Sequence, residues 1–185
     1  APFVDRAHDA GAKVFSTVAS ARDATAAVRA GVDVVVAQGW EAGGHVRGEV
    51  ATLPLVRAVA EAVAETPVLA AGGIADGRGL AAALALGASG VWIGTRFLAS
   101  DEAAIHPRYR ERLLAADETA TVHTDLFDVG WPDAPHRVLR NRTYDAWAAA
   151  GRPAPGARPG EGEVLARSGR GDMVRYESTT PGPEA

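Results

Sequence analysis

The stretch "PVLAAGGIADGRGLAAALALGASGVWIGTRF" (residues 67–97) contains one complete strand–helix–strand pattern. Residues 67–73 form a short apolar run that ends in two glycines, which is typical of a buried strand leading into a turn. Residues 77–87 repeat alanine and leucine at helical spacing and close on Gly87, a common residue just after a last helical turn. Residues 89–97 form the next apolar run. This order predicts a parallel strand–helix–strand unit.

The same alternation extends toward the N-terminus. Residues 13–20 and 32–39 are predicted strands, and residues 21–30 and 52–65 are predicted helices, the first with Ser20 as its N-cap. All four strands are nearly continuous apolar runs, as is typical of parallel strands that helices cover. Repeated units of this kind predict an α/β fold, either an open doubly wound sheet or a (β/α)8 barrel. Four units are too few to close a barrel, which takes roughly 250 residues.

The C-terminal half has a weaker pattern. Residues 106–116 predict a further helix and residues 143–151 a short one, while the segment between them mixes turns with short apolar pieces. Residues 152–185 are rich in proline, glycine and charge, so we expect an extended or disordered tail without a packed core of its own. The predicted organisation is therefore three segments, 1–116, 117–151 and 152–185.

Composition excludes several classes of function. The net charge is −4 and no long basic run occurs, which argues against nucleic-acid and membrane partners. The chain has no cysteine, and no spacing of its histidines resembles a metal site, so we expect no metal. No apolar stretch approaches the length of a membrane span and no signal-peptide pattern is present. We therefore expect a cytoplasmic protein.

Two successive strand ends carry glycines that suit a phosphate site. Ligands of parallel α/β folds bind at the carboxyl ends of the strands. Gly72 and Gly73 let a ligand approach the backbone closely, and the helix after Asp76 offers unpaired N–H groups. Gly94 and Thr95 repeat the arrangement one strand later and add a hydroxyl. The same glycines could instead only permit tight turns, but their occurrence at two neighbouring strand ends favours phosphate.

The stretch "AQGWEAGGHVRG" (residues 37–48) supplies the reactive candidate. Gly43 and Gly44 permit a sharply turned backbone, and His45 is the first functional side chain after them. Histidine changes charge near neutral pH, so it suits proton transfer or stabilisation of an anion. Spacing alone leaves open a helix-capping or solvent-exposed histidine. For Glu41, a carboxylate that binds the loop backbone is favoured over a catalytic acid.

These stretches, together with "HPRYRERLLAA" (residues 106–116), resemble the nitronate monooxygenases. "FDVGWPDAPHRVLRNRT" (residues 127–143) is similar to the segment that follows the barrel in many of them, and the resemblance covers most of residues 10–160. Flavin-dependent enoyl-ACP reductases share the GGH loop, the AAGGIADGRG loop and the GTRF strand end. The combination is therefore specific for this superfamily of FMN-binding barrels and less specific for the reaction.

The resemblance implies a TIM barrel with FMN at its C-terminal face, of which this chain would be the C-terminal portion of about four βα units. It implies that His45 stands beside the flavin ring and interacts with the substrate nitro or nitronate group. Gly72, Gly73, Gly94 and Thr95 match the phosphate-binding positions of the family. Gln38 and Gly39 end the strand beneath the flavin and are the implied ring contacts.

The implied activity is FMN-dependent oxidation of alkyl nitronates, or of nitroalkanes, by O₂ to a carbonyl compound and nitrite. The "WPDAPHRVLRN" segment favours this reaction over enoyl-ACP reduction, the alternative enzyme activity. Family members have an N-terminal barrel half that would precede residue 1. We therefore expect the chain to be a fragment, or to combine with a second chain that supplies the complementary half. A half-barrel without activity, associating into a homo-oligomer through uncovered apolar surface, is the non-enzymatic alternative.

Overall fold

The computed structural model describes residues 2–168 and 171–177. The chain divides into two compact units, Ala1–Phe97 and Leu98–Ala185, and each is described by itself. The elements that begin in the first unit are α1 (Pro2–Asp9), β1 (Phe15–Val18), α2 (Ala21–Arg29), β2 (Val34–Gln38), β3 (Gly44–His45), α3 (Thr52–Ala62), β4 (Val68–Ala71), α4 (Gly77–Ala85), β5 (Gly90–Trp92) and α5 (Thr95–Leu98). The second unit contains α6 (Pro107–Ala115), β6 (Thr121–Thr124), β7 (His136–Leu139), α7 (Arg142–Ala149), β8 (Val164–Ser168) and β9 (Gly171–Val174).

Four strands of the first unit form one parallel sheet in the order β1-β2-β4-β5. In its register Val18 pairs with Ala37, Ala37 with Ala70, and Ala70 with Val91. The strands follow the order of the chain, and a helix lies in each connection between them. The prediction of four parallel strands in chain order is confirmed. Strand β5 is shorter than predicted because Thr95 already begins α5.

The helices pack on one face of this sheet. Residues of that face, such as Val35 and Ala70, form a buried core with helix residues that include Leu55, Val56 and Val59. A doubly wound sheet would carry helices on both faces, so the one-sided arrangement identifies a portion of a (β/α)8 barrel.

The opposite face of the sheet is concave. The side chains of Phe15 in β1 and Trp92 in β5 both project from this concave face and are 48% and 53% exposed. Their ring centroids lie 6.0 Å apart although they belong to the two outermost strands. Three strand spacings in a flat sheet would separate those strands by about 14 Å. The sheet is therefore strongly curved, with this face on its inner side, as the wall of a barrel requires.

Local sequence signals account for the helix boundaries. The hydroxyl of Ser20 accepts the N–H of Asp23 at 3.1 Å, which confirms the predicted N-cap of α2. Gly87 adopts φ +95° directly after the last turn of α4, a left-handed conformation that favours glycine. His106 caps α6, where its Nδ1 accepts the N–H of Arg108 at 3.3 Å. No helix among the described residues combines the length and the apolar character needed to cross a bilayer.

The second unit differs from the sequence prediction in two ways. The sequence pattern places helix α6 in the first segment, residues 1–116, but the helix belongs to the second compact unit, where Arg112 donates to the carbonyl of Arg140 at 2.9 Å. Helical periodicity does not reveal which unit a helix packs on. Strands β6 and β7 form an antiparallel hairpin that places His123 and His136 on strands, where the sequence predicted irregular structure.

The composition of residues 152–185 predicts an extended or disordered tail, but the described part of this segment contains the antiparallel pair β8 and β9. Tyr176 is 1% exposed and packs with Leu126 and Phe127. Arg158 is also buried, pairs with acidic side chains of the same unit and lies 4.5 Å from the centre of the Tyr176 ring. The contacts of Tyr176 with Leu126 and Phe127 and the pair of Arg158 with Asp128 join residues far apart in sequence, so local composition does not reveal them. The prediction for residues 169–170 and 178–185 lies outside the described residues.

Candidate functional site

Three loops follow the carboxyl ends of β2, β4 and β5. We call residues 39–51 the histidine loop and residues 72–76 the double-glycine loop, and residues 93–94 form the short third loop. Because the strands are parallel, all three loops lie at one edge of the sheet, where ligands of this architecture bind. The two-residue connection after β1, residues 19–20, lies at the same edge, since a Cβ built on Gly48 of the histidine loop would lie 2.7 Å from the Cβ of Ala19.

The histidine loop crosses the end of β4 to reach the end of β5. A Cβ built on Gly72 would lie 2.9 Å from the backbone nitrogen of Ala42, and one built on Gly43 would lie 2.5 Å from the hydroxyl oxygen of Thr95. Strand β4 lies between β2 and β5 in the sheet, so the loop must pass over it. The structure thus brings together Gly43, Gly72 and Thr95, which are far apart in sequence.

His45 is half-buried in the two-residue strand β3. Gly44 before it adopts φ +81°, which confirms the sharp turn predicted at the glycine pair. The Gln38 side chain donates from Nε2 to the carbonyl oxygen of His45 at 3.0 Å, so the end of β2 holds the backbone of the histidine. His45 does not cap a helix, because α3 begins seven residues later at Thr52.

Glu41 binds backbone, as the sequence interpretation favoured. Its Oε2 accepts the N–H of Thr52 at 2.9 Å and the hydroxyl of Thr52 at 3.0 Å. The N-cap residue of α3 is Ala51, which has no side-chain acceptor for the first N–H groups of the helix. The Glu41 carboxylate, 11 residues earlier in the chain than Thr52, serves as the missing acceptor.

The double-glycine loop needs its glycines for the fold itself. Gly72 and Gly73 adopt φ +107° and φ +68°, which other residues rarely adopt. A Cβ on Gly73 would lie 3.3 Å from the Cβ of Glu41, and Gly39 has no space for a Cβ because Thr52 packs against it. The turn interpretation therefore accounts for these three glycines, with or without a bound ligand.

The N-terminus of α4 does not offer the unpaired N–H groups that the sequence predicted. The Asp76 carboxylate accepts the N–H of Arg78 and the N–H of Gly79, both at 3.0 Å. Its negative charge would also repel a phosphate at this position. This part of the prediction is wrong. The sequence itself indicated that these N–H groups would be capped, since aspartate is among the preferred N-cap residues.

Gly94 differs from the other candidate glycines. A Cβ built on it would meet no heavy atom of the described residues within 4 Å, and its φ is not in the left-handed region. The backbone N–H groups of Gly73 and Gly94 have no hydrogen-bond acceptor among the described residues. Gly73, Gly94 and Thr95 are all exposed at this edge. This open space with free donors fits an anionic group such as a phosphate.

Thr52 is the site residue that sequence reasoning missed. It is 5% exposed and also donates its hydroxyl to the carbonyl oxygen of Gly72 at 3.0 Å. A threonine at the start of a predicted helix was a visible signal, but its partners lie 11 and 20 residues away in the chain. Only the tertiary structure joins the three loop positions through this side chain.

The most perturbed carboxyl of the first unit lies at the opposite edge of the sheet. Hydrogen bonds from Lys13, from the N–H of Val14 and from His8 hold the pKa of Asp33 well below its usual value. The distances to the carboxylate oxygens are 2.8 Å in all three cases. This cluster ties α1 and β1 to the start of β2, where barrels carry residues that stabilise the fold.

A curved parallel sheet with helices on its outer face and a glycine-lined anion space at its carboxyl edge defines a portion of a ligand-binding (β/α)8 barrel. The family model that describes nitronate monooxygenase matches residues 2–161. The chain belongs to the nitronate monooxygenase family, whose members are flavin oxidoreductases.

Individual relatives agree with this assignment. The nitronate monooxygenase npaC of Metarhizium robertsii is 48% identical over 124 residues, which is 60% of this chain and 35% of that protein. FabK of Thermotoga maritima, an enoyl-ACP reductase, is 46% identical with a TM-score of 0.72 over 78% of this chain and 44% of that one. A nitroalkane oxidase of Streptomyces ansochromogenes is 37% identical with a TM-score of 0.67 over 75% of this chain and 42% of that one. The chain spans 35–41% of the length of the curated relatives that it matches most strongly.

Proposed function

We propose that this chain carries the phosphate-binding and histidine-bearing part of an FMN-dependent nitronate monooxygenase, which oxidises alkyl nitronates with O₂ to a carbonyl compound and nitrite. The observation that carries the proposal is the path of the histidine loop, which crosses β4 and brings Gly43 against Thr95. A histidine and an open anion space therefore share one edge of the sheet. Family membership supports the same class of reaction.

The proposed phosphate contacts are the N–H groups of Gly73 and Gly94, for which the described part of the chain supplies no acceptor, and the hydroxyl of Thr95. Backbone donors with no Cβ beside them are well suited to a phosphate, since they approach its oxygens closely. Gly72 contributes the turn that presents Gly73. Gln38 and Gly39, at the end of β2, are the proposed contacts beneath the ring system. FMN, when bound there, would supply the redox chemistry of the reaction.

The proposed role of His45 is to hold or move a proton on the substrate. A nitronate is an anion, so a hydrogen bond or a positive charge from the imidazole stabilises its bound form. A neutral nitroalkane must first lose its α-proton, and a neutral imidazole can accept it. The hydrogen bond from Gln38 to the His45 carbonyl keeps the residue in place for either task.

The test begins with FMN titrated into the purified protein and followed by flavin fluorescence. The proposal predicts saturable binding, and then O₂ uptake and nitrite release on addition of a preformed alkyl nitronate. A protein that binds no FMN would contradict the cofactor assignment. A protein that binds FMN but yields no nitrite would contradict the reaction.

Enoyl-thioester reduction is a second candidate, because FabK has the higher identity and TM-score of the two solved relatives described above. The two activities have different requirements. Enoyl reduction consumes NADH or NADPH together with a crotonyl thioester, whereas nitronate oxidation consumes O₂ without a nicotinamide. Parallel assays on one FMN-loaded sample, one following nicotinamide absorbance and one following nitrite, decide between them.

A further inference from the structure

A chain of hydrogen bonds joins the histidine loop, the start of α3 and the double-glycine loop. The Glu41 carboxylate accepts both the N–H and the hydroxyl of Thr52, and the same hydroxyl lies 3.0 Å from the carbonyl oxygen of Gly72. A threonine hydroxyl has one hydrogen, so its two acceptors share a single donor. Thr52 is 5% exposed, and water therefore has little access to replace these bonds.

We infer that Glu41 and Thr52 are positioning residues that set the orientation of the Gly72–Gly73 backbone and thereby its affinity for a phosphate. This inference rests on the proposed function, because it concerns the same phosphate site. The Gly72 carbonyl belongs to the peptide unit that carries the Gly73 N–H, and a planar peptide moves as one body. A hydrogen bond to that carbonyl consequently aims the N–H on the opposite side.

The arrangement also explains how a carboxylate is tolerated beside an anion site. The Cβ and Cγ of Glu41 are the atoms that face Gly73, at 3.3 and 3.8 Å from the position of an added Cβ. The Oε2 atom instead points to the first N–H of α3, where the positive end of the helix dipole stabilises a negative charge. Glu41 thus presents its aliphatic part to the double-glycine loop and its charge to the helix.

The test compares Thr52→Val, which removes the hydroxyl at nearly constant shape, with Thr52→Ser, which keeps it. Glu41→Ala and the milder Glu41→Gln probe the carboxylate. Two variants away from the strand-end loops serve as controls: Thr25→Val removes a part-buried hydroxyl that bonds within α2, and Glu65→Gln removes an exposed carboxylate before β4.

Two readouts are measured in each variant. The first is the ¹⁵N relaxation order parameter of Gly72 and Gly73 in the protein without ligand. We expect it to fall from the rigid value of about 0.85 toward 0.6 in Thr52→Val and Glu41→Ala, and to stay high in Thr52→Ser. The second is the Kd for FMN and for riboflavin, which lacks the phosphate. Loss of one positioning hydrogen bond should raise the Kd for FMN by about three- to tenfold and the Kd for riboflavin much less.

Unchanged order parameters in Thr52→Val and Glu41→Ala would overturn the inference, and so would an equal loss of FMN and riboflavin affinity. Recovery of both readouts in Thr52→Ser supports it. If one of Thr52→Val and Glu41→Ala does not fold, the other decides through the same two readouts; if neither folds, Glu41→Met, which keeps the chain length but has no oxygen acceptor, takes their place. A wild-type protein that binds no FMN would refute the proposed function, while the order parameters would still decide whether these residues hold the loop.

Discussion

Substitution of Gly94 by alanine tests whether this glycine leaves space for a ligand or is needed to form a turn. The added methyl group meets no heavy atom of the described residues within 4 Å, and the backbone is not left-handed there. Glycine to alanine at a compatible position stabilises a protein by about 0.4–1 kcal/mol through the unfolded state. Gly94→Ala should therefore leave stability unchanged or slightly raised. If a phosphate occupies this space, the methyl group will displace it.

The expected loss of affinity follows from the hydrogen bonds at stake. A hydrogen bond to a charged group contributes about 1.5–3 kcal/mol. Loss of the Gly94 contact should then raise the Kd for FMN by about 10- to 150-fold. Gly72→Ala should behave differently, because φ +107° and a Cβ 2.9 Å from the Ala42 nitrogen strain the fold. That variant should lose about 1–3 kcal/mol of stability through the backbone conformation alone.

Fluorescence titration with FMN and with riboflavin, combined with urea unfolding, measures both effects. Gly77→Ala is the matched control, since its added methyl also meets no described atom but lies at the helix end that Asp76 caps. It should leave FMN affinity unchanged. A Gly94→Ala protein that binds FMN as tightly as the wild type would refute the phosphate site at the third loop. Equal losses for FMN and riboflavin would show that the methyl acts on the whole site and not on the phosphate.

Three further predictions concern catalysis and stability. His45→Asn should lower kcat/KM for a neutral nitroalkane by about 10²–10⁴-fold while a preformed nitronate loses less, because only the nitroalkane needs proton removal; equal losses measured with both substrates would leave only anion binding. Leu55→Ala should lower the free energy of unfolding by about 2–5 kcal/mol, because the side chain is 2% exposed in the core between the sheet and its helices. A smaller loss in urea unfolding would mean that neighbouring side chains move in to fill the cavity. Asp33 has a folded pKa below its ordinary 3.8, so its contribution to stability is present above that pH and is lost as the pH falls through the folded value. Asp33→Asn should therefore reduce stability at pH 6 and flatten its decline below pH 4, and parallel stability curves for variant and wild type would contradict the assignment.

Most of the elements of the first unit could be predicted from local sequence. Apolar runs and helical spacing predicted the four strands and the helices between them, because period and side-chain type act within a few residues. Ser20 and Gly87 marked helix ends through contacts within one turn. The candidate positions at the strand ends followed from the parallel order, since ligands of this architecture bind at that edge.

The order of strands and helices, and the edge of the sheet that carries the site, therefore follow from local sequence patterns. Contacts between separate loops of the folded chain, in contrast, show which glycines the fold requires and which leave open space. Gly72 and Gly94 look alike in sequence, but the histidine loop crosses one and not the other. The sheet curvature, the packing of Tyr176 against Leu126 and Phe127, and the bond from Thr52 to Gly72 likewise depend on residues distant in the chain. Such contacts leave no local period, because they arise from how separate elements meet in space.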